Sequence, residues 1–295
     1  MIKTFFKSPD CRWALGCGDC IEMMGKIANK GFLFDCAFAD PPYFLSNGGI
    51  SVQSGRQVCV DKGDWDKSHG AEADAVFTRA WLTALRDILK PSGMVWISGT
   101  HHNIFQVANA LTELGYKILN VITWQKTNPP PNLSCRYFTF STEFVIWARR
   151  ETRVSHYFNY ELMHALAGGQ QMRDVWPLPA IGKWEKTFGK HPTQKPLALL
   201  VRILLASTQA NEWVLDPFAG ACTTGIAARL LGRRFFGVDL SADYLSIGAR
   251  RFGEAETAEF RAKAFHHVSD LRNLPQPTSV GEDVETDYGE NTFFL

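Results

Sequence analysis

The chain has 295 residues, long enough to bury one large α/β core. Its 31 basic and 30 acidic residues leave a net charge of +1, so a charged partner has to be met by local clusters rather than by an overall field. No apolar run could span a bilayer, and the apolar part of Met1 to Lys7 is too short for a signal peptide. Seven cysteines, an odd set, fit reduced thiols in a cytoplasmic protein. Cys17-x-x-Cys20 with Cys11 nearby has no second Cys/His pair of matching spacing, so no metal is expected.

In chain order, residues 12–24 read as a short strand from Trp13 that ends in the glycine-bracketed Asp19, then a short helix. Phe34 to Ala39 is a buried strand, stopped by Asp40-Pro41-Pro42-Tyr43 because neither proline can donate to a sheet ladder. Residues 44–70 read as one long loop, and a loop of that length beside a strand end is usually functional. Helical spacing runs from Ala71 through Phe77, Trp81, Leu85 and Leu89, with its stop expected at Pro91-Ser92-Gly93. Met94–Ser98 is a strand, Ile104–Leu111 a helix ending at Gly115, and Ile118–Trp124 and Glu143–Ala148 are further strands. Alternating strands and helices imply a mostly parallel sheet covered on both faces.

Between these strands, Asn128 to Asn132 carries three consecutive prolines and cannot be helix or central strand. Arg149 and Arg150, followed over 151–190 by Arg153, His156, Arg173, Lys183, Lys186 and Lys190, are interleaved with Tyr157, Phe158, Tyr160, Trp176 and Trp184. Cations mixed with aromatics suit phosphate contact and base stacking, although a solvated basic face has the same composition. A helix follows Pro196. Trp213 to Asp216 is then a strand, Pro217 to Gly225 a tight turn into a helix, and Phe235 to Asp239 a strand ending in a second acid. An acid at that offset can hold ribose hydroxyls, while the absence of G-x-G-x-x-G speaks against a pyrophosphate; adenosine without phosphates fits better. Periodicity fades from Gly253, and the chain ends in a purely acidic tail read as mobile.

Asp40 and the prolyl carbonyls can accept hydrogen bonds from an exocyclic amine, and Tyr43 can stack on a planar base. Alone, those four residues fit equally well a strand that ends in a proline turn with a solvated acid.

Together, however, the stretches resemble the β group of amino-DNA methyltransferases. Asp40-Pro41-Pro42-Tyr43 precedes Asp216-Pro217-Phe218-Ala219-Gly220, and Gly189 to Pro196 (GKHPTQKP) lies just upstream of the second strand. Phe38–Ile50, Asp61–Lys67 and Thr123–Phe138 are most similar to the accessory adenine methyltransferases of DpnII/MboI-type restriction systems, which act on GATC. The likeness covers residues 10–252. It implies an α/β fold: a Rossmann-like sheet, mostly parallel with one antiparallel strand, helices on both faces, and a circularly permuted motif order. It also implies a methyltransferase domain over 1–252, with target recognition in 125–190, and a C-terminal extension over 253–295.

By position, the resemblance gives Asp40 and the Pro41 carbonyl the target amine, and Tyr43 the flipped adenine, with Pro42 in the same motif. S-adenosylmethionine would be held by Asp216, Phe218, Gly220, Ala221 and Thr223 on its methionine side, and by Asp239 at the ribose. Asp19 and Cys20 would lie near its adenine; His191, Thr193 and Pro196 would cover the methionine end, with Lys195 at the carboxylate. Asn132, Ser134, Arg136, Tyr137 and Arg173 would contact DNA, double-stranded or single-stranded, and members of the group often form homodimers. One departure is Ala221-Cys222 where the family has Ser-Gly; the sulfur is expected to point away from the cofactor. N4-cytosine methylation, or DNA binding without catalysis, stay open as alternatives.

Overall fold

A computed structural model describes residues 4–46, 50–53, 56–59, 66–129, 131–132, 135–189 and 191–274. Its framework is a nine-stranded sheet. The strands are β1 (Phe6–Lys7), β2 (Trp13–Cys17), β3 (Phe34–Ala39), β6 (Leu89–Gly99), β7 (Lys117–Lys126), β8 (Thr142–Arg149), β9 (Val175–Leu178), β10 (Trp213–Asp216) and β11 (Arg234–Asp239). They lie in the order β1-β2-β11-β10-β3-β6-β8-β7-β9. From β2 to β6 every pairing is parallel; β8 runs against both its neighbours, and β1 adds a short antiparallel edge. The sheet is thus mostly parallel, as the sequence pattern implies.

Helices cover both faces: α1 (Cys20–Ala28), α2 (Ala71–Asp87) and α3 (Ile104–Glu113) on one, and α5 (Leu197–Ser207), α6 (Thr223–Leu230), α7 (Ala242–Ala255) and α8 (Ala258–His267) on the other. The period of two along the strands makes this division. Cys36, Phe38, Met94 and Trp96 pack with Leu200 and Ile203 of α5, whereas Ala37, Ala39, Val95 and Ile97 pack with Met24, Trp81 and Leu111. Across the β6–β8 pair, Trp96 and Trp147 stack with ring centroids 4.8 Å apart. Apolar residues on both sides of each strand explain why these segments read as near-continuous hydrophobic runs.

Several boundaries differ from the pattern reading. Residues 44–70 are not one featureless loop, because β4 (Ile50–Gln53) and β5 (Arg56–Cys59) form an antiparallel hairpin within them. Helix α2 stops at Asp87 and does not reach Pro91-Ser92-Gly93, which lies inside β6. There the register shifts, with Phe34 opposite Leu89 and Cys36 opposite Met94, so the proline sits at an irregularity where no ladder bond is lost. Within 125–190, β8 and β9 are strands of the sheet, and 127–141, 150–174 and 179–190 lie between strands, the second of these holding α4 (Tyr160–Leu166).

Part of the C-terminal extension over 253–295 is packed onto the sheet domain. Helix α7 continues to Ala255, and α8 and α9 (Ser269–Arg272) bring Phe260, Ala264 and Leu271, with Val268 between the two helices, into the same core, α9 packing on α5 and α8 on α7. Arg202 on α5 holds the Asp270 carboxylate through two bonds of 2.7 and 2.8 Å. These apolar residues are spaced i, i+4, i+8, i+11, a stripe diluted by the charged residues between them. The acidic tail, residues 275–295, lies outside the described residues. No helix among the described residues is long and apolar enough to cross a membrane.

Phe260 is 4 % exposed, so Phe260→Ala should cost about 3 kcal/mol of unfolding free energy through the cavity it leaves. Chemical denaturation followed by circular dichroism checks this; a cost below about 1 kcal/mol would detach α8 from the core.

Candidate active site

Five adjacent parallel strands deliver their carboxyl ends to one edge of the sheet, where open α/β folds bind ligands. Asp40 follows β3, Asp216 ends β10, Asp239 ends β11, and Asp19 follows β2, capping α1 by accepting from the Glu22 amide at 2.9 Å. Ser98 lies near the end of β6. Residues almost two hundred positions apart are neighbours for this reason alone.

Asp40 is bonded at both oxygens. Its Oδ1 accepts from the Tyr43 hydroxyl at 2.7 Å and from Ser98; its Oδ2 accepts from Lys195 Nζ at 2.7 Å. The resemblance gives Lys195 the cofactor carboxylate; here it is engaged by Asp40, and it also stands 3.6 Å from Glu143 Oε2 and 5.1 Å from the centre of the Tyr43 ring. Glu143 Oε1 in turn pairs with Lys126 at 2.6 Å. Burial by itself would push the Asp40 carboxyl up, but Lys195, Ser98 and Tyr43 outweigh it and hold the group below the usual carboxylate range. Burial likewise opposes the Lys195 charge, and the facing Asp40, Tyr43 and Glu143 raise it well above an ordinary lysine.

The chain after the prolines is anchored by Asp66, a fully buried acid. It accepts from the amides of Tyr43, Phe44 and Leu45 at 2.8, 3.0 and 3.3 Å and from the Ser46 hydroxyl at 2.9 Å. The Tyr43 ring is 6 % exposed, so no open stacking face is presented in this conformation.

On β10, Asp216 accepts from the Phe218 amide at 3.0 Å and the Thr224 hydroxyl at 2.6 Å, with no cation paired to it among the described residues. Burial dominates, with Asp40 and Asp239 adding to it, and the carboxyl is pushed up to about 7. Asp239 braces the following turn, taking the Gly220 and Ser241 amides at 2.8 Å each; burial raises this carboxyl too. Gly220 has φ +49°, and a β-carbon there would stand 2.8 Å from His191 Nε2, so both conformation and space demand glycine. Cys222 is left-handed as well, at φ 60°, despite its side chain. Its sulfur is fully buried, bonded to the Gly220 carbonyl at 3.7 Å and directed at Gly248 of α7, where an added β-carbon would lie 2.4 Å from it. Buried Arg251 closes the turn from behind by donating to the Ala221 carbonyl and to Thr223 Oγ1.

Two cavities open at this edge. The larger is lined by Gly18, Asp19, Cys20, Phe77, Phe218, Asp239, Leu240 and Tyr244 among others, the smaller by Lys195, Asp216, Gly220, Ala221 and Thr223 among others. Asp40, His191, Thr193 and Phe218 line both, which makes them one continuous site. Pro42 lines the larger; Pro41, Tyr43 and Pro196 line neither, and Cys222 is likewise in neither wall. Pattern reading did not assign Phe77, Ser98, Glu143, Leu240, Tyr244 or Arg251 to the site, nor single out Asp66. Tyr244 meets His191 edge-on at 4.3 Å, a contact between segments fifty residues apart with no local signature. Among the described residues no cluster of His, Cys, Asp or Glu could hold a metal.

The segment between β7 and β8 rises from the same edge. Phe140 stacks on His101 at 4.9 Å, Tyr137 lies 5.4 Å from Phe140, and Phe138 is 96 % exposed. Arg136 is exposed beside them. Asn132 donates to the Tyr137 carbonyl at 2.6 Å, shaping the segment. Ser134 lies outside the described residues. Arg173 precedes the amino end of β9, away from this edge.

Known proteins share this architecture. The chain is 48 % identical over 271 residues to the type II methyltransferase M2.MboI of Moraxella bovis, which covers 91 % of this chain and 98 % of that protein. It is 57 % identical over 239 residues to M2.DpnII of Streptococcus pneumoniae, 81 % of this chain and 88 % of the other. Among solved structures, the M1.HpyAVI–SAM complex superposes with a TM-score of 0.63 at 26 % identity, covering 81 % and 98 % of the two chains. The cytosine-N4-specific PvuII DNA methyltransferase shares the fold, with a TM-score of 0.64 at 16 % identity over 90 % and 94 % of the chains. A DNA methylase family model matches residues 34–250, which contain both Asp40 and Asp216, and the chain belongs to that family.

Proposed function

We propose that this DNA methylase acts on adenine N6 within GATC, with S-adenosylmethionine as methyl donor, in protective methylation paired with a restriction nuclease. The observation that carries the reading is Asp40: a buried carboxylate kept ionised where the two cavities meet, with an aspartate rather than a serine before Pro-Pro-Tyr. M2.MboI and M2.DpnII, the relatives in type II systems, support the biological setting.

The residues present fit the cofactor. Phe77, Phe218, Leu240 and Tyr244 give apolar surface for a purine, Asp239 gives a carboxylate for ribose hydroxyls, and the Gly220 turn is a cradle that any β-carbon would fill. Asp19 and Cys20 belong to the adenine end, His191, Thr193, Asp216, Ala221 and Thr223 to the methionine end. S-adenosylmethionine supplies a methyl group on a sulfonium, activated without metal or covalent enzyme chemistry. Asp40, with the Pro41 carbonyl, accepts hydrogen bonds from the exocyclic amine and fixes the direction of its lone pair. Being held below the usual carboxylate range, Asp40 serves as an acceptor and is a poor general base; the proton released from nitrogen passes to water. Tyr43 fixes Asp40 through its hydroxyl and offers its ring to the base once that ring is uncovered.

The exposed Tyr137, Phe138 and Phe140 rings, with Arg136, support DNA contact at the same edge. Aromatic faces accept unpaired bases, so single-stranded as well as duplex DNA fits as substrate. This reading places the enzyme in the cytoplasm and is compatible with a homodimer.

Labelled S-adenosylmethionine with GATC and GTTC oligonucleotides, single- and double-stranded, should give N6-methyladenine in GATC alone; N4-methylcytosine would replace the adenine assignment. Asp40→Ala should lower transfer about 10³-fold while calorimetric cofactor affinity stays within about threefold. Gly220→Ala should weaken cofactor binding at least about tenfold, whereas Cys222→Gly should change it less than about threefold, because the sulfur faces Gly248.

A further inference from the structure

The smaller cavity holds an ammonium where the reading above needs an amine. Asp40 Oδ1 already takes two donors, from Tyr43 and Ser98, which leaves Oδ2 as the oxygen for the target. Lys195 Nζ sits on that oxygen at 2.7 Å and over the Tyr43 ring at 5.1 Å. On its other side, Glu143 Oε2 is buried and has no hydrogen-bond donor among the described residues; Lys195 is 3.6 Å away. Glu143 is itself held by Lys126 through Oε1, so its second oxygen is fixed in place.

We propose that Lys195 is a positioning residue that stands in for the target amine on Asp40 in the free enzyme and withdraws to Glu143 when the base arrives. The movement needed is about one ångström, the difference between a 3.6 Å approach and a hydrogen bond. It frees Oδ2, while the cation stays close enough to keep Asp40 ionised. The contrast with Asp216 supports this: more deeply buried, hydrogen-bonded, but with no lysine paired to it among the described residues, that carboxyl is pushed up to about 7. The groups facing Asp40 are Tyr43 on its own segment, Ser98 from β6, Lys195 before α5, Glu143 from β8 with Lys126 of β7 behind it, Asp216 from β10, and His191. The proposal rests on Asp40 being the amine acceptor.

Single-turnover methyl transfer across pH, beside calorimetric titration with S-adenosylmethionine, tests it in wild type, Lys195→Met and Glu143→Gln. In Lys195→Met the acid limb of the profile should move up by at least about one pH unit, so the loss is greatest at low pH and shrinks towards pH ~8.5, with cofactor affinity within about threefold. Glu143→Gln should lose about tenfold at all pH values with no shift of the limb, because a neutral amide no longer offers the lysine an ionic partner to withdraw to. A Lys195→Met limb that coincides with wild type, a Glu143→Gln rate equal to wild type, or a loss of cofactor binding that matches the loss of rate would overturn the proposal. Should the variants not fold, carbon NMR of wild-type protein, with the Asp40 carboxyl assigned by its disappearance in Asp40→Asn, should show it ionised below the ordinary value of ~3.9; titration above that overturns the pairing. That measurement stands even if no DNA is methylated, so failure of the functional reading is separable.

Discussion

Four carboxylates, Asp40, Glu143, Asp216 and Asp239, are gathered out of water at one edge of one sheet, and the design of the site follows from how each is accommodated. A buried negative charge is costly unless it is paired or hydrogen-bonded. Asp239 is accommodated by two backbone amides of the turns it braces, and Asp216 by an amide and a hydroxyl, which do not fully compensate its burial. Asp40 and Glu143 are accommodated by lysines, in an alternating row from Asp40 through Lys195 and Glu143 to Lys126. Asp216 and Asp239 are thus held by backbone amides and a hydroxyl, while Asp40 is paired with a lysine that a second acid faces.

The turn after β10 shows a second constraint, steric rather than electrostatic. Two residues adopt left-handed backbone: Gly220, where the His191 ring forbids a side chain, and Cys222, where one is tolerated. The tolerance has a partner, because Gly248 on α7 leaves the space that the sulfur fills. A departure from the family pattern at one position is thus absorbed by a small residue on a neighbouring helix, on the side away from both cavities. Arg251, one turn further along α7, holds the same loop by its carbonyl and by Thr223.

Much of this was readable in the residues because it is local. Strands β3, β10 and β11 announce themselves as apolar runs, each closed by an acid or by prolines, and the order of Asp40 before Asp216 carries the family. The turn around Gly220 is legible for the same reason: glycine at a strand–helix junction reports a backbone shape. The misreadings are also local in origin. Pro91 looked like a helix stop and is a strand irregularity, because only pairing with β3 reveals that the ladder skips there. The stripe of Phe260, Ala264, Val268 and Leu271 was too dilute to signal burial, and only its packing into the same cluster as α5 shows it as core.

By itself, then, the sequence determined the class of fold and the residues at the strand ends, since each depends on patterns within a few positions, and its motifs in their order carried the resemblance to the family. Tertiary structure alone decided the partners. Asp66 reaching back to the amides of Tyr43 to Leu45, Glu143 meeting Lys195, and Tyr244 meeting His191 are contacts between segments tens of residues apart. Parallel strand ends bring such segments together by topology, and no local pattern in a chain encodes which charge will find which once they arrive.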